Sequence, residues 1–337
     1  MTPDLAATVQ AEALLEQHRS ELTGYCYRML GSAFEAEDAV QETMLRAWNG
    51  LERFQGRSSL RSWLYRIATN VCFDLLNGRQ RRARPMDLGP AGLAAGPVAE
   101  PNPDFPWLEP MPDGQVLPDS GDPAALAEAR ETVRLAFVAA MQMLPPRQRA
   151  VLLLRDVLNW RANEVADLLD TSVASVNSAL QRARATLAAS DAEAGDPYDP
   201  SDEEQRDLLE RYLDAFERYD IDAFVALLHE DATQVMPPYD HWLVGADQIH
   251  EWMLGAGIAC QGSRIRPVAS TNGLPAFAQW RRDPDGDGYY AWALHVVEIT
   301  SGRISGLNYF LDTERVFPMY GLPLRLEGDG RPAVAAR

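Results

Sequence analysis

With 337 residues and 46% hydrophobic content, the chain has room for two or three domains, each able to bury a core. It contains no lysine and carries a net charge of −18, which excludes a protein that is basic throughout and makes every positive side chain an arginine or histidine. No apolar run of about 18 residues and no basic, apolar leader occurs, so a cytoplasmic protein without a membrane span is expected; Cys26, Cys72 and Cys260 are scattered, with no CxxC and no histidine at ligand spacing, so neither a disulfide framework nor a metal site is expected.

The charge is unevenly spread. Residues 1–85 hold 11 Arg and 10 acids and residues 123–190 hold 8 Arg and 6 acids, whereas residues 86–122 hold 7 acids with no base and residues 191–337 hold 12 Arg against 26 acids. The front of the chain can therefore meet nucleic acid, while the back repels it.

Residues 11–30 predict a helix with Leu14, Leu15, His18, Leu22, Tyr25, Cys26 and Met29 on one face and Gly31 as its stop. A second helix starts near Ser32, with Phe34, Ala39, Val40, Met44, Leu45 and Trp48 inward and an acidic face of Glu35, Glu37, Asp38, Gln41 and Glu42. Such a face is a solvated surface as readily as a docking one. The stretch FQGRSSLRSWLYRIATNVCFDLLNGRQRRARP, residues 54–85, predicts a turn and a third helix whose Leu60, Leu64, Ile67, Val71 and Leu75 form a core stripe. Arg57, Ser58, Ser59, Arg61, Trp63, Tyr65, Arg66 and Asn70 lie off that stripe, and Arg79, Arg81, Arg82 and Arg84 follow. Arginines neutralise phosphates and flat rings stack on unpaired bases, so this mixture suits nucleic acid.

AEDAVQETMLRAW followed by GRSSLRSWLYRIATNVCFDLL and a basic run resembles the promoter-melting domain of the extracytoplasmic-function sigma factors of bacterial RNA polymerase. The resemblance implies that Asp38, Gln41 and Glu42 dock on the clamp of the polymerase's largest subunit. It also implies that the turn over residues 56–60 and the start of the next helix hold a flipped base of the minus-ten element.

Residues 85–118 contain nine prolines and read as a linker. Within it, FPWLEPMPD is too apolar for a plain spacer, so Phe105, Trp107, Leu108 and Met111 are expected to dock, on polymerase or on the C-terminal domain. In the sigma-factor family the linker runs through the polymerase toward the RNA exit path, where its acids could stand in for RNA phosphates.

LPPRQRAVLLLRDVLNWRANEVADLLDTSVASVNSALQRARATL carries a helix-turn-helix pattern, with Ala166 as the small residue of the first helix, Asp170 at the turn, Thr171 or Ser172 as cap and Val173 and Val176 inward. It is similar to the minus-thirty-five-reading domain of the same family, which contacts the flap of the second-largest subunit. Ser172, Ser175, Asn177, Ser178, Ala179, Gln181, Arg182 and Arg184 lie off the core side of the second helix and are able to meet base edges or phosphates. This helix is poor in basic residues, so weak intrinsic DNA affinity is expected.

After an acidic linker, RYLDAFERYDIDAFVALLHEDAT opens a helix-first segment followed by antiparallel strand patterns near residues 276–281, 289–299 and 303–311. It resembles the SnoaL-like family of cone-shaped α+β domains, whose members enclose a pocket. His229, Tyr239, His241, Trp242, Trp252, Trp280, Trp292, His295 and Tyr309 are candidate linings for an unknown small-molecule ligand. DPDGDG, residues 283–288, matches the start of a calcium loop, but Leu294 stands where the bidentate acid belongs, so a hairpin turn is expected.

The expected architecture is two all-α helical domains, the second a helix-turn-helix, followed by an α+β cone-shaped SnoaL-like domain with a curved antiparallel sheet. Its segments are 10–85, a linker 86–122, 123–189, a linker 190–202 and 203–328. The expected function is that of an alternative sigma factor binding core RNA polymerase and promoter DNA, regulated by its own C-terminal domain through contact with the linker or a helical domain, with no cofactor. The competing readings are a ligand-responsive DNA-binding regulator that works without polymerase and a SnoaL-like enzyme fused to a DNA-binding portion.

Overall fold

In a computed structural model of the chain, the described residues are 12–56, 58–98, 100–117, 122–189 and 195–331. They divide into two units, residues 1–82 with 113–193 and residues 83–112 with 194–337.

The first unit is helical: α1 (Arg19–Leu30), α2 (Ala33–Gly50), α3 (Leu60–Leu76), α4 (Pro123–Glu131), α5 (Leu135–Gln142), α6 (Pro146–Leu152), α7 (Ala162–Leu168) and α8 (Val173–Ala188). Every residue of α1 from Leu22 onward is buried, because α2, α3, α5 and α6 all pack on it. The expected unbroken helix over 11–30 is interrupted by a turn at Gln17 and His18, and Leu14 before the break is 45% exposed. Gly31, at φ 71°, ends α1 and donates its N–H to Tyr27 O at 2.7 Å, a left-handed cap that suits glycine. Ser32 then caps α2 through the N–H of Glu35, and Ser59 caps α3 through that of Ser62.

Helix α2 departs from its expected facing. It buries Ala33, Ala36, Ala39, Val40, Thr43 and Ala47, while Leu45 and Trp48, expected inward, are 56% and 39% exposed. Small side chains fill the buried face, and the two large ones are left on the outer side.

The helix-turn-helix forms from α7 and α8, with Asp170 at φ 50° in the turn and Ser172 accepting the N–H of Ser175. Val176, Ala179, Leu180 and Ala183 are buried. Val173, expected inward, is exposed at the first position of the helix, and Ala179, expected on the outer face, is core. Between α6 and α7 the chain makes a π turn over Leu153–Val157, closed by Leu158 N–H to Leu153 O at 2.9 Å, after which Trp160 folds back against α3.

The second unit has α9 (Glu203–Arg218), α10 (Ile221–Val225), β1 (Leu228–Val235), β2 (Trp242–Val244), α11 (Ala246–Leu254), β3 (Arg264–Thr271), β4 (Leu274–Arg282), β5 (Tyr289–Thr300), β6 (Arg303–Phe310) and β7 (Arg325–Leu326). The sheet order is β2-β1-β6-β5-β4-β3, with β7 on β5. The sheet is antiparallel as expected except for one parallel pair, β1 with β6. β3, absent from the sequence patterns because Pro267 breaks the alternation begun by Arg264, Ile265 and Arg266, is an edge strand, where a missing N–H is tolerated. Leu208, Tyr212 and Phe216 of α9, Phe224 of α10 and Ile249 and Trp252 of α11 pack with sheet residues such as Phe277, Val297 and Leu307 in one core. Residues 283–288 form the β4–β5 hairpin, closed by Asp283 N–H to Gly288 O at 2.9 Å.

Residues 83–112 run along this second unit and are tied to it at intervals. The Trp242 indole donates to Gly89 O at 3.0 Å, Gly92 N–H to Trp242 O at 2.8 Å and Ala94 N–H to Gln248 Oε1 at 2.9 Å. Further on, Asn102 N–H donates to Pro238 O at 2.9 Å, and Asn272 brackets Met111 by accepting its N–H at 2.9 Å and donating its own to Met111 O at 3.0 Å. Trp107, Leu108 and Met111 are buried, so the apolar island docks on the C-terminal domain. The expected linker 86–122 is divided at residue 113, since Asp113 onward belongs to the helical unit.

Asn272 adopts φ 55°, a conformation that asparagine tolerates and alanine does not. Asn272→Ala should lower the unfolding free energy by about 2–4 kcal/mol, through backbone strain plus the unpaired Met111 N–H, and Asn272→Gly by about 1–3 kcal/mol, as read from urea denaturation of the full chain.

Candidate functional surfaces

On the outside of α2, Glu37, Asp38, Gln41, Leu45 and Trp48 are exposed. Asp38, Gln41, Leu45 and Trp48 follow one another at spacings of 3 or 4, which lines them up as a single stripe suited to a partner helix. Glu42 sits beside it, half-buried and paired with Arg46 at 2.6 Å. Leu45 and Trp48 were missed as surface residues because hydrophobicity alone assigns them to the core. Their register with Asp38 and Gln41 was the available signal.

The front of α3 is partly covered within its own unit. Arg61 donates to Glu21 Oε2 at 2.8 Å, and its guanidinium lies over the rings of Tyr65 and Trp160, 5.2 and 5.4 Å from their centroids. Tyr65, expected to face nucleic acid, is fully buried between Tyr25 and Trp160, and its hydroxyl donates to Glu21. Burial pushes that phenol's pKa well above its ordinary value. Arg66 donates to Asp167 O of α7. Trp63 is half-buried, its ring 5.0 Å from Phe54, and remains the accessible aromatic of the set. Ser58, Ser59 and Asn70 are exposed, and Arg57 lies outside the described residues.

Two buried arginines join the helical segments. Arg28 donates to Thr132 O at 3.1 Å and to its hydroxyl at 2.7 Å; Arg149 donates to Met29 O and to Gln142 Oε1 at 2.6 Å. Burial draws both guanidinium groups down to about 10.

On α8, Ser172, Ser175, Asn177, Ser178, Gln181, Arg182 and Arg184 are all exposed. Arg184 makes a bidentate pair with Asp156 at 2.8 and 2.7 Å, and Arg182 reaches Ser178 at 2.7 Å. The amides of Asn177 and Gln181 are therefore the most readily offered groups on this face.

In the second unit, a cavity of about 30 Å³ is lined by residues that include Gln234, Trp252, Trp292 and Tyr309. Three of the expected lining residues thus converge. His295 stands behind the wall, buried, with Nδ1 2.8 Å from the Tyr212 hydroxyl and Nε2 2.9 Å from Gln279 Oε1. Gln279 Nε2 in turn donates to Ser263 Oγ at 2.9 Å. The Gln279 oxygen requires a donor, so His295 carries its proton on Nε2 and Tyr212 donates to Nδ1. Burial lowers the imidazole to about 3, which keeps it neutral. His229 lies on β1, accepting the N–H of Asp231; Trp242 faces the linker; Trp280 packs on Phe317 and donates to Pro323 O. None of these three lines that cavity. Tyr239 and His241 lie in the loop before β2, and His241 stacks on Trp252 at 5.4 Å.

Three family models match the chain: Sigma-70 region 2 over residues 14–82, Sigma-70 region 4 over residues 134–187 and the SnoaL-like domain over residues 209–307. The chain is 48% identical over 311 residues to the ECF RNA polymerase sigma factor SigG of Mycobacterium tuberculosis, a match covering 91% of this chain and 82% of that protein. It is 30% identical over 307 residues to SigJ of the same organism, covering 87% of this chain and 88% of the relative. The crystal structure of the M. tuberculosis extracytoplasmic function sigma factor SigJ shares the fold at a TM-score of 0.58 and 23% identity, over 94% of this chain and 99% of that one.

The buried imidazole has a consequence for stability. Its folded pKa lies far below the ordinary 6.5, so between pH 6.5 and about 3 the unfolded chain binds a proton that the folded chain refuses. Stability should therefore fall as pH falls through that window, by about 1.4 kcal/mol per pH unit from this residue. In urea denaturation at a series of pH values, His295→Gln should lose stability less steeply than the native chain.

Proposed function

The chain belongs to the ECF RNA polymerase sigma factors, and from that premise we propose how its surfaces divide the work of transcription initiation. The α2 stripe of Asp38, Gln41, Leu45 and Trp48, with Glu42 beside it, docks on the clamp of the largest polymerase subunit. The exposure of two large apolar side chains in register with acidic and amide groups supports this role. The turn before α3, with Ser58, Ser59, Trp63 and Asn70, holds the minus-ten strand. Arg61 and Arg66 join it once Trp160 and Asp167 withdraw from α3. Helix α8 reads the minus-thirty-five element through Asn177 and Gln181, with the flap of the second-largest subunit holding its domain in place. The protein works in the cytoplasm, beside the polymerase.

The C-terminal domain acts as a regulator rather than an enzyme, and it takes a small molecule in its cavity. Its regulatory act is to hold the linker, which must leave the domain to run through the polymerase. The observation that carries this reading is the series of hydrogen bonds that fixes residues 89–111 to the C-terminal domain. A neutral, hydrogen-bonded His295 supports the non-catalytic reading, since it is poorly placed to serve as an acid or base near neutral pH.

Asn272→Ala should change promoter-specific run-off transcription by about fivefold or more at saturating core polymerase, the scale of an ordinary coupling free energy. An unchanged yield would remove the regulatory role. Trp48→Ala should weaken core polymerase binding by about tenfold or more while leaving thermal stability near the native value, since its ring is exposed.

A further inference from the structure

The cavity of the C-terminal domain carries more chemistry than its size suggests. Gln234, on β1, is 1% exposed, and neither its carboxamide oxygen nor its nitrogen has a hydrogen-bond partner. The Tyr309 hydroxyl, on the neighbouring strand β6, also lines the cavity and interacts with the Tyr212 hydroxyl through a side-chain hydrogen bond. The chain Tyr212–His295–Gln279–Ser263 runs beside the cavity and makes no hydrogen bond to Gln234. A buried amide left unpaired on both atoms costs several kcal/mol in total by the usual scale of about 1–3 kcal/mol per group. The remaining wall, which includes Phe216, Met236, Trp252 and Leu311, is apolar, and none of the lining residues is charged.

A carboxamide with a free N–H and a free C=O is matched by a second amide, which pairs with it through two parallel hydrogen bonds. A carboxylate offers no donor and would lose its hydration in a wall without cations. About 30 Å³ holds only about two water molecules, so any larger guest must displace a wall. On the sheet side the strands are held by their ladder. On the other side stands α11, which supplies Trp252 to the cavity and, one turn earlier, Gln248 to the linker. Trp252 also stacks on His241, and the imidazole lies so close to Gly92 of the linker that a Cβ there would fall 2.3 Å from it. A shift of α11 therefore reaches the linker at both Gly92 and Ala94.

We propose that this cavity binds a small uncharged amide or lactam with an apolar body, paired to Gln234, and that its entry loosens the linker through α11. The proposal rests on the reading of the C-terminal domain as the holder of the linker. Benzamide is a minimal probe and benzoate its charged counterpart, both tested on the full chain by calorimetry and by hydrogen exchange of the linker amides at residues 89–98. Benzamide should bind at millimolar concentration and raise exchange there by about fivefold or more, as expected when a local opening is favoured. Benzoate should do neither, and Gln234→Leu, which fills the site with an apolar side chain, should abolish the response to benzamide.

Gln248→Ala separates the two ideas, because it removes a linker anchor without touching the cavity lining. Faster linker exchange in that variant with no binding of benzamide overturns the ligand proposal alone and leaves a cavity occupied by water. Native exchange in Gln248→Ala overturns the linker-holding reading. Benzamide binding that persists in Gln234→Leu, or that leaves the linker amides unchanged, also overturns the proposal.

Discussion

A segment with nine prolines between residues 85 and 118 has little capacity to build a helix or a strand ladder, and its remaining backbone N–H groups need acceptors from elsewhere. The role of the second unit depends on that constraint. Pro238 and Trp242 carbonyls and the side chains of Gln248 and Asn272 supply the acceptors, spaced along the segment. Burial of Trp107, Leu108 and Met111 adds an apolar contribution, and Arg315 reaches Glu109 at 3.4 Å. A stretch with the composition of a spacer is thereby ordered by a neighbour rather than by itself.

The helical unit uses a different device. The last turn of α1 exposes carbonyls that no helix satisfies internally. Gly31 bonds Tyr27 O, Arg149 bonds Met29 O, and Gln142 Nε2 bonds Arg28 O at 3.3 Å. Side chains of the second helical segment thus cap a helix of the first. Because burial disfavours the charge on Arg28 and Arg149, parting these segments would rehydrate both guanidinium groups and offset some of the packing lost around Trp160.

Much of this was legible in the sequence wherever local chemistry decides local structure. Gly31 as a stop, a helix start near Ser32, a cap at Thr171 or Ser172 and Asp170 at the turn each follow from one residue's backbone or hydrogen-bonding preference. What was not legible depends on neighbours far along the chain. Leu45 and Trp48 have the hydrophobicity of core residues, and their exposure follows from how the small residues of α2 meet α1. Tyr65 lies on the polar side of its helical wheel, yet it is buried because Trp160, nearly a hundred residues later, covers it. The unpaired amide of Gln234 leaves no trace in sequence at all, since its state is defined by the partners it lacks.

The attachment of residues 83–112 to the C-terminal domain also sets the unit of inheritance. A recombination event that joined a foreign cone to this chain near residue 195 would bring Trp242, Gln248 and Asn272 equivalents with no history of meeting this linker. Gly92 is the sharpest example, because any side chain there collides with the His241 ring. The module that must travel together is discontinuous in the gene, one piece lying inside the helical portion and the other after it. Relatives built on this plan are therefore expected to exchange their regulatory domains as matched pairs of segments, and a simple tail swap is the exchange that the fold tolerates least.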